Sequence, residues 1–288
     1  MATAFEEAKV TVPGVLESKG KRRLTMLTAY DFTFSHLADA SGVDMLLVGD
    51  SLGMVVQGAD NTLAVTMDEM VYHTRLVVRG RGRALVVGDM PFLSYQISPT
   101  DAVANAGRLI KEAGAEAVKL EGGLNMAETI ARLTDVDIPV VGHIGLTPQS
   151  VHRMGGHKVQ GRRSGNAPGA RGRLLKDAKA VEQAGAFALV IEGVPADLAA
   201  DITAHVSIPT IGIGAGPGCD GQVLVMHDVL GLEQRISPKF AKRYAELGRE
   251  AVAAMSTFVG EVRSKAFPTA AHSFSSPRPL RKRASGDS

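Results

Sequence analysis

The sequence predicts a single (β/α)₈ TIM barrel with additional C-terminal helices, and three observations carry that expectation. Eight short aliphatic runs, each ending in glycine or a polar residue, are spread along the chain. They lack period-two alternation, as strands covered by helices on both faces do. Helical patterns lie between most of them, and strict β–α alternation gives a right-handed parallel α/β fold. The 288 residues exceed the roughly 250 of such a barrel by a little. Eight strands favour closure over an open doubly wound sheet.

The runs are residues 25–31, 45–51, 84–91, 117–123, 138–145, 188–195, 208–216 and 222–229. Helices are expected at 32–40 and 68–78 after the first two. Ser98-Pro99-Thr100-Asp101 opens the third with a capping-box pattern and a proline in its first turn, and Gly114 closes it. Residues 125–133, 174–184 and 196–205 follow strands four, five and six. The connection from strand seven to eight is short for a helix. Residues 237–267 read as one or two extra helices, packed outside the barrel or at a subunit contact. The barrel domain is therefore expected over residues 1–271, with a separate tail at 272–288.

Composition excludes several classes. With 45% hydrophobic and 22% charged residues, the chain is neither disordered nor a coiled coil. No apolar run approaches the roughly 18 residues of a membrane span. The opening MATAFEEAKV carries acids where an export signal needs basic and apolar stretches. One cysteine, Cys219, excludes an intrachain disulfide, so a cytoplasmic location is expected. The formal charge of +2 hides a tail with Arg278, Arg281, Lys282 and Arg283 against Asp287, so the body is slightly acidic. With no Trp, few aromatics and the positive charge in a Ser/Pro/Arg tail, no nucleic-acid partner is expected.

Active sites of such barrels sit at the C-terminal ends of the strands. Those ends hold Asp31, Asp50 with Ser51, Asp89, Lys119 with Glu121, His143 and Glu192. Period two puts Lys119 and Glu121 on one face. Buried acids from different strands cannot pair with one another and need a cation. Asp50, Asp89 and Glu121 are hard oxygen ligands, which suits Mg²⁺, with Mn²⁺ or another divalent ion as alternatives; capping of the following helices is the competing reading for any one of them. Glu192 stands apart among Val190, Ile191 and Val194, a setting suited to a general base. Residues 151–173 form a glycine-rich connection with six Arg or Lys and no acid, expected to cover a substrate and meet an anion. GIGAGPGCDG at 212–221 has the look of a phosphate loop, or of a backbone that must turn tightly.

LTAYD (27–31), VGDSLGMVVQG (48–58), VTMDEMVYHTR (65–75), KLEGG (119–123), GHIGLTPQS (142–150), GGHKVQGR (155–162), IEGVP (191–195), IGIGAG (211–216), DGQVLVMHD (220–228) and PKFAKRY (238–244) together resemble the ketopantoate hydroxymethyltransferase family. The motifs run in order from about Leu24 to Ser273. The resemblance implies transfer of a hydroxymethyl group from 5,10-methylenetetrahydrofolate to 3-methyl-2-oxobutanoate, forming 2-dehydropantoate by aldol-type C–C bond formation through an enolate. It implies Mg²⁺ bound by Asp50, Asp89 and Glu121, directly or through water. Asp50, Ser51, Asp89 and Lys119 would contact the oxo acid, with His143 beside them, and Glu192 would accept the proton. Arg162 and Arg163 of the basic loop would meet the glutamate tail of the folate. A homo-oligomer, a decamer, is implied as well. The chain departs from the family pattern at Ala64, commonly proline, and in the basic tail. The alternative is a related barrel that makes or breaks C–C or C–P bonds on Mg²⁺-bound oxo acids; that group carries a catalytic cysteine loop absent from this sequence.

Overall fold

The computed structural model describes residues 8–156, 158–162, 169–233, 235 and 238–276. Eight parallel strands close into one barrel in sequence order: β1 (Leu24–Thr28), β2 (Met45–Val48), β3 (Leu85–Asp89), β4 (Ala117–Glu121), β5 (Val140–Gly145), β6 (Ala188–Glu192), β7 (Thr210–Ile213) and β8 (Gly221–Leu224). Six of the predicted runs contain their strand whole, while β1 and β8 each begin one residue before theirs; β8 pairs with β1 from Leu24 opposite Gly221 onward. Gly221 is required there, because a Cβ would lie 2.5 Å from the Leu24 carbonyl oxygen. No helix among the described residues is long and apolar enough to cross a membrane.

Two apolar layers hold the barrel. Leu46, Val86, Val118, Val140, Leu189 and Ile191 face outward against the helices. Met26, Met45, Leu85, Ala117, Val141, Ala188, Ile211 and Val223 fill the interior. Val10 and Val15 join the interior cluster, so the helix Val12–Leu16 plugs the amino-terminal end.

Helices Phe32–Ala40 and Ala196–His205 form at the expected bounds. Asp31, one of the strand-end acids, accepts the Phe34 amide at 2.9 Å. It caps a helix, the competing reading for such acids. Ser98 caps Pro99–Lys111 by accepting the Asp101 amide at 3.1 Å. The basic connection is less irregular than expected. The helix Val151–Met154 occupies its start, and Ala170–Gln183 begins four residues before the helix read from the sequence. The C-terminal segment holds one long helix, Leu247–Ser264, with no residue buried. Residues Pro277–Ser288 of the tail lie outside the described residues.

The amino-terminal end is fastened by Asp220. Its carboxylate accepts the Thr210 amide at 2.9 Å and the Gly20 amide at 3.2 Å, and pairs with Lys19 Nζ at 2.8 Å. Burial works against its charge, but the Lys19 and Thr210 bonds outweigh it and hold the carboxyl below its usual range. Asp220 therefore stabilises the fold fully above the unfolded-state pKa of about 3.9, and this is lost as pH falls through the lower folded value. Asp220→Ala is expected to cost about 1–3 kcal/mol in urea unfolding at pH 7. The difference from the parent should shrink at acid pH, and a pH-independent gap would refute the account.

Candidate active site at the carboxyl end of the barrel

Period two along each strand carries interior residues to the barrel mouth. Leu85 and Val87 of β3 lead to Asp89, and Ala117 of β4 leads to Lys119 and Glu121. Val141 of β5 leads to His143, and Ala188 and Val190 of β6 to Glu192. Each column is apolar below and polar above. Strand register then sets the neighbours: Asp89 opposite Lys119, Glu121 opposite His143, Gly145 opposite Glu192. Asp50 and Ser51 follow β2, just before the short helix Leu52–Val55.

Asp50, Asp89, Lys119, Glu121 and His143 are all buried. Ser51 and Glu192 are half-buried. Lys119 Nζ lies 2.8 Å from Asp89 Oδ1 and 3.4 Å from His143 Nδ1. His143 stands between two carboxylates, with Nδ1 3.5 Å from Glu121 Oε1 and Nε2 3.2 Å from Glu192 Oε2. Glu192 is thus less isolated than its apolar sequence neighbours imply. The Ser51 hydroxyl shares a 2.9 Å hydrogen bond with the Tyr30 hydroxyl.

These side chains distort one another's titration. Burial pushes the Asp50 carboxyl well above its ordinary value, and Asp89 and Glu121 push it further. Burial likewise raises Asp89, against the opposing pull of Lys119. For Lys119 burial opposes the charge, but Asp89, Glu121 and Asp50 outweigh it and hold the ammonium above its usual range. Burial and Lys119 also oppose charge on His143, yet hydrogen bonds to Glu121 and Glu192 raise it to about 9.

Gln149, to which the sequence analysis gave no role, ties the cluster together. Its amide Nε2 donates to Asp50 Oδ2 at 2.9 Å and to the Met90 carbonyl at 3.0 Å. Its Oε1 accepts from the Tyr95 hydroxyl at 2.6 Å and Gln96 Nε2 at 3.1 Å. The Met90 carbonyl can only accept, which fixes the orientation of the amide. The Gln149 backbone amide donates to Glu121 Oε2 at 3.1 Å. Gln149 sits here because Gly145 ends β5 with φ +98°, where a Cβ would lie 2.2 Å from the Glu192 carbonyl oxygen. The signal in the sequence was only a polar residue one position after a proline.

One cavity of about 410 Å³ gathers Asp50, Ser51, Asp89, Lys119, Glu121, His143 and Glu192. A wider neighbouring cavity, about 820 Å³, shares Glu121 and includes Gln149, Arg153 and Arg173 in its wall. Among the described residues no group of three His, Cys, Asp or Glu is arranged to hold a metal ion directly. Glu121 is instead turned toward His143 and the Gln149 amide. Arg162 is exposed and lines neither cavity; Arg163 lies outside the described residues. The basic loop does reach the site by its backbone, for the Gln160 amide donates to the Gly193 carbonyl at 2.8 Å, next to Glu192. The glycines at 212–221 serve packing. A Cβ on Gly216 or Gly218 would strike Ala196 or Ala200 of the adjacent helix, at 2.4 and 2.8 Å.

The sequence profile described as Ketopantoate hydroxymethyltransferase matches residues 9–270. The chain belongs to the ketopantoate hydroxymethyltransferase family. It is 60% identical to the 3-methyl-2-oxobutanoate hydroxymethyltransferase of Pelobacter propionicus, over 92% of this chain and 97% of that one. It is also 60% identical to the protein of that name from Geobacter metallireducens, over 88% and 93% of the two chains. Like its relatives in the ketopantoate hydroxymethyltransferase family, the chain is a transferase. Solved structures share the fold at much lower identity. Phosphoenolpyruvate phosphomutase from Streptomyces platensis subsp. rosaceus superposes with a TM-score of 0.57 at 15% identity, over 88% of each chain. For a 2,3-dimethylmalate lyase of the PEP mutase/isocitrate lyase superfamily the values are 0.56 and 14%, over 91% of this chain and 90% of the other. These likenesses show the barrel alone.

The Gln149 network makes a quantitative claim. Gln149→Leu strands the Met90 carbonyl, takes a donor from Asp50 Oδ2, and leaves the Tyr95 hydroxyl with the Glu121 backbone alone; it should cost about 1–3 kcal/mol in denaturant unfolding. Tyr95→Phe removes the other side of the 2.6 Å bond. The double variant should lose clearly less than the sum of the two, because both members belong to one network. Additive losses would mean that Gln149 and Tyr95 act independently.

Proposed function

We propose that the chain transfers a hydroxymethyl group from 5,10-methylenetetrahydrofolate to 3-methyl-2-oxobutanoate, giving 2-dehydropantoate. The observation that carries this reading is a single cavity lined by Glu192 and His143 together with Asp50, Asp89 and Lys119. Such a cavity can hold an anionic oxo acid at its charged side and take a proton from the adjoining carbon.

The donor set fits a divalent cation. Asp50, Asp89 and Glu121 are buried together against one ammonium, and two of the three carboxyls are pushed upward by burial. An added cation would relieve that excess of negative charge. Mg²⁺ would be held by Asp50, Asp89 and Glu121, directly or through water, since Mg²⁺ commonly takes one or two carboxylates and keeps water and substrate positions. When bound, it supplies Lewis acidity toward the oxo acid's oxygens.

The protein's own groups do the rest. Lys119 and Ser51 orient the oxo acid. Glu192 accepts the C3 proton, and His143 holds that carboxylate in place from 3.2 Å. The carbon freed of its proton bonds to the donor's methylene, water supplies the new hydroxyl, and both methylene–nitrogen bonds break, the two nitrogens taking up the proton released from C3 and one from water. The products are 2-dehydropantoate and tetrahydrofolate. The basic loop, Arg162 and Arg163 included, is assigned to steering the folate's glutamate tail, supported by its tether at Gly193. The single buried thiol, Cys219, supports work in the reducing cytoplasm.

Glu192→Gln keeps the shape and removes the acceptor. Exchange of the oxo acid's C3 hydrogen with deuterated water should fall by about 10²–10⁴-fold, while binding of Mg²⁺ and oxo acid persists. Exchange at the parent rate would move the base elsewhere, with His143 next to test.

We further propose a homo-oligomer, a decamer as the family resemblance implies. It is supported by the helix Leu247–Ser264, where Val252, Met255, Phe258, Val259 and Val262 form an exposed apolar stripe. A second copy of the chain is the occupant that fits it, because an identical stripe is self-complementary in a two-fold contact. Light scattering should give an assembly that Met255→Glu with Val259→Glu dissociates; a monomeric parent at micromolar concentration would refute it.

A further inference from the structure

Part of the catalytic cavity is left over once the oxo acid is placed between Asp50 and Glu192. That remainder has apolar walls, among them Leu146, Pro148, Ile213, Val225 and Phe240. Asp228 also lines it. Asp228 is only 9% exposed, and none of the described residues hydrogen-bonds its carboxyl. Burial pushes that carboxyl up, Glu233 adds to the push, and Arg243 only partly offsets it. A buried carboxyl without a hydrogen-bond partner is costly.

The segment that carries Asp228 is fixed by its neighbours. It sits in the helix Met226–Leu230. The Met226 amide donates to the β1 side chain Thr28 at 3.0 Å. Its neighbour His227 packs against the rings of Tyr30 and Phe34. The backbone that carries this carboxyl is thus anchored in the wall of a largely apolar cavity. A metal ion would want several oxygen ligands there, but Glu233 is engaged by Arg235 at 2.8 Å. A compact ammonium gains nothing from apolar walls. A flat ring with two parallel N–H donors on one edge satisfies both features, because a carboxylate accepts two such bonds side by side.

We propose that Asp228 recognises the heterocycle of the one-carbon donor, accepting two parallel N–H bonds from its amino-pyrimidine edge. This rests on the donor assigned above. It places the ring in the cavity that holds Glu192, so the methylene to be transferred lies beside the carbon that loses its proton. The basic loop is then left with the tail alone, and ring and tail are read by separate elements.

The test uses the full-length protein, titrated with tetrahydrofolate and with its analogue lacking the 2-amino group. Asp228→Asn and Asp228→Ala should weaken tetrahydrofolate about 10- to 100-fold, the size of a lost charge-assisted pair. The analogue, which already lacks one bond, should be weakened much less. Affinity for 3-methyl-2-oxobutanoate serves as the internal reference and should move far less than that for tetrahydrofolate. Melting temperature should not fall, because no protein partner is lost; this separates recognition from a structural role. Unchanged tetrahydrofolate affinity in variants of a parent that binds it overturns the assignment of Asp228 alone. So does an equal loss for both ligands, which would mean a change of shape. A parent that binds no tetrahydrofolate overturns the donor reading and this assignment with it.

Discussion

The ion pair between Lys119 and Asp89 is the contact on which the rest of the site depends. It stands at the height where the barrel interior changes from apolar to charged. Below it, burial of aliphatic side chains stabilises the sheet without specific partners. Above it, every group is bound to its neighbours by charge. Without the ammonium, Asp50, Asp89 and Glu121 would face one another inside a low-dielectric cavity, a state that proteins avoid by neutralising the groups. With it, the cluster keeps a net negative character that suits a cation and, through that cation, an anionic acid. The same lysine presses on His143 from 3.4 Å, so the imidazole leans on Glu121 and Glu192 for its charge.

Barrel geometry makes this concentration unavoidable. Parallel strands all present their C-terminal ends at one mouth, and period two sends alternate side chains to a common axis. Five adjacent strands or their following turns, β2 to β6, each contribute a titratable residue within about hydrogen-bonding reach of the next. Gln149 is the non-ionic member that makes such crowding tolerable. It offers donors where Asp50 and Met90 need them and an acceptor where Tyr95 and Gln96 need one, and it adds no charge of its own.

Much of this was legible in the sequence. Eight buried strands and six of the intervening helices follow from uninterrupted aliphatic runs and from glycine and capping signals, which are local. The strand-end residues Asp50, Asp89, Lys119, Glu121, His143 and Glu192 were legible because a barrel turns sequence position into spatial position. What escaped were properties set by contacts between distant segments. Asp31 reads like its neighbours but is spent on a helix amide. Glu192 reads as isolated among valines, yet strand register brings His143 to it. Gln149 carries no sequence signal of its importance, since all five of its partners lie on other segments. The glycines after β7 imitate a ligand loop, and only the nearness of Ala196 and Ala200 shows that they make room for a helix.

The opposite end of the barrel carries a different kind of information. There Asp220 joins Lys19, Gly20 and Thr210, and Val10 and Val15 stop the opening. None of these groups lines the cavity at the barrel mouth. Selection on durability and selection on chemistry therefore act on separate sets of positions, at opposite ends of the same strands. A lineage can firm up the closed end when its environment warms, and the mouth keeps its specificity through the change.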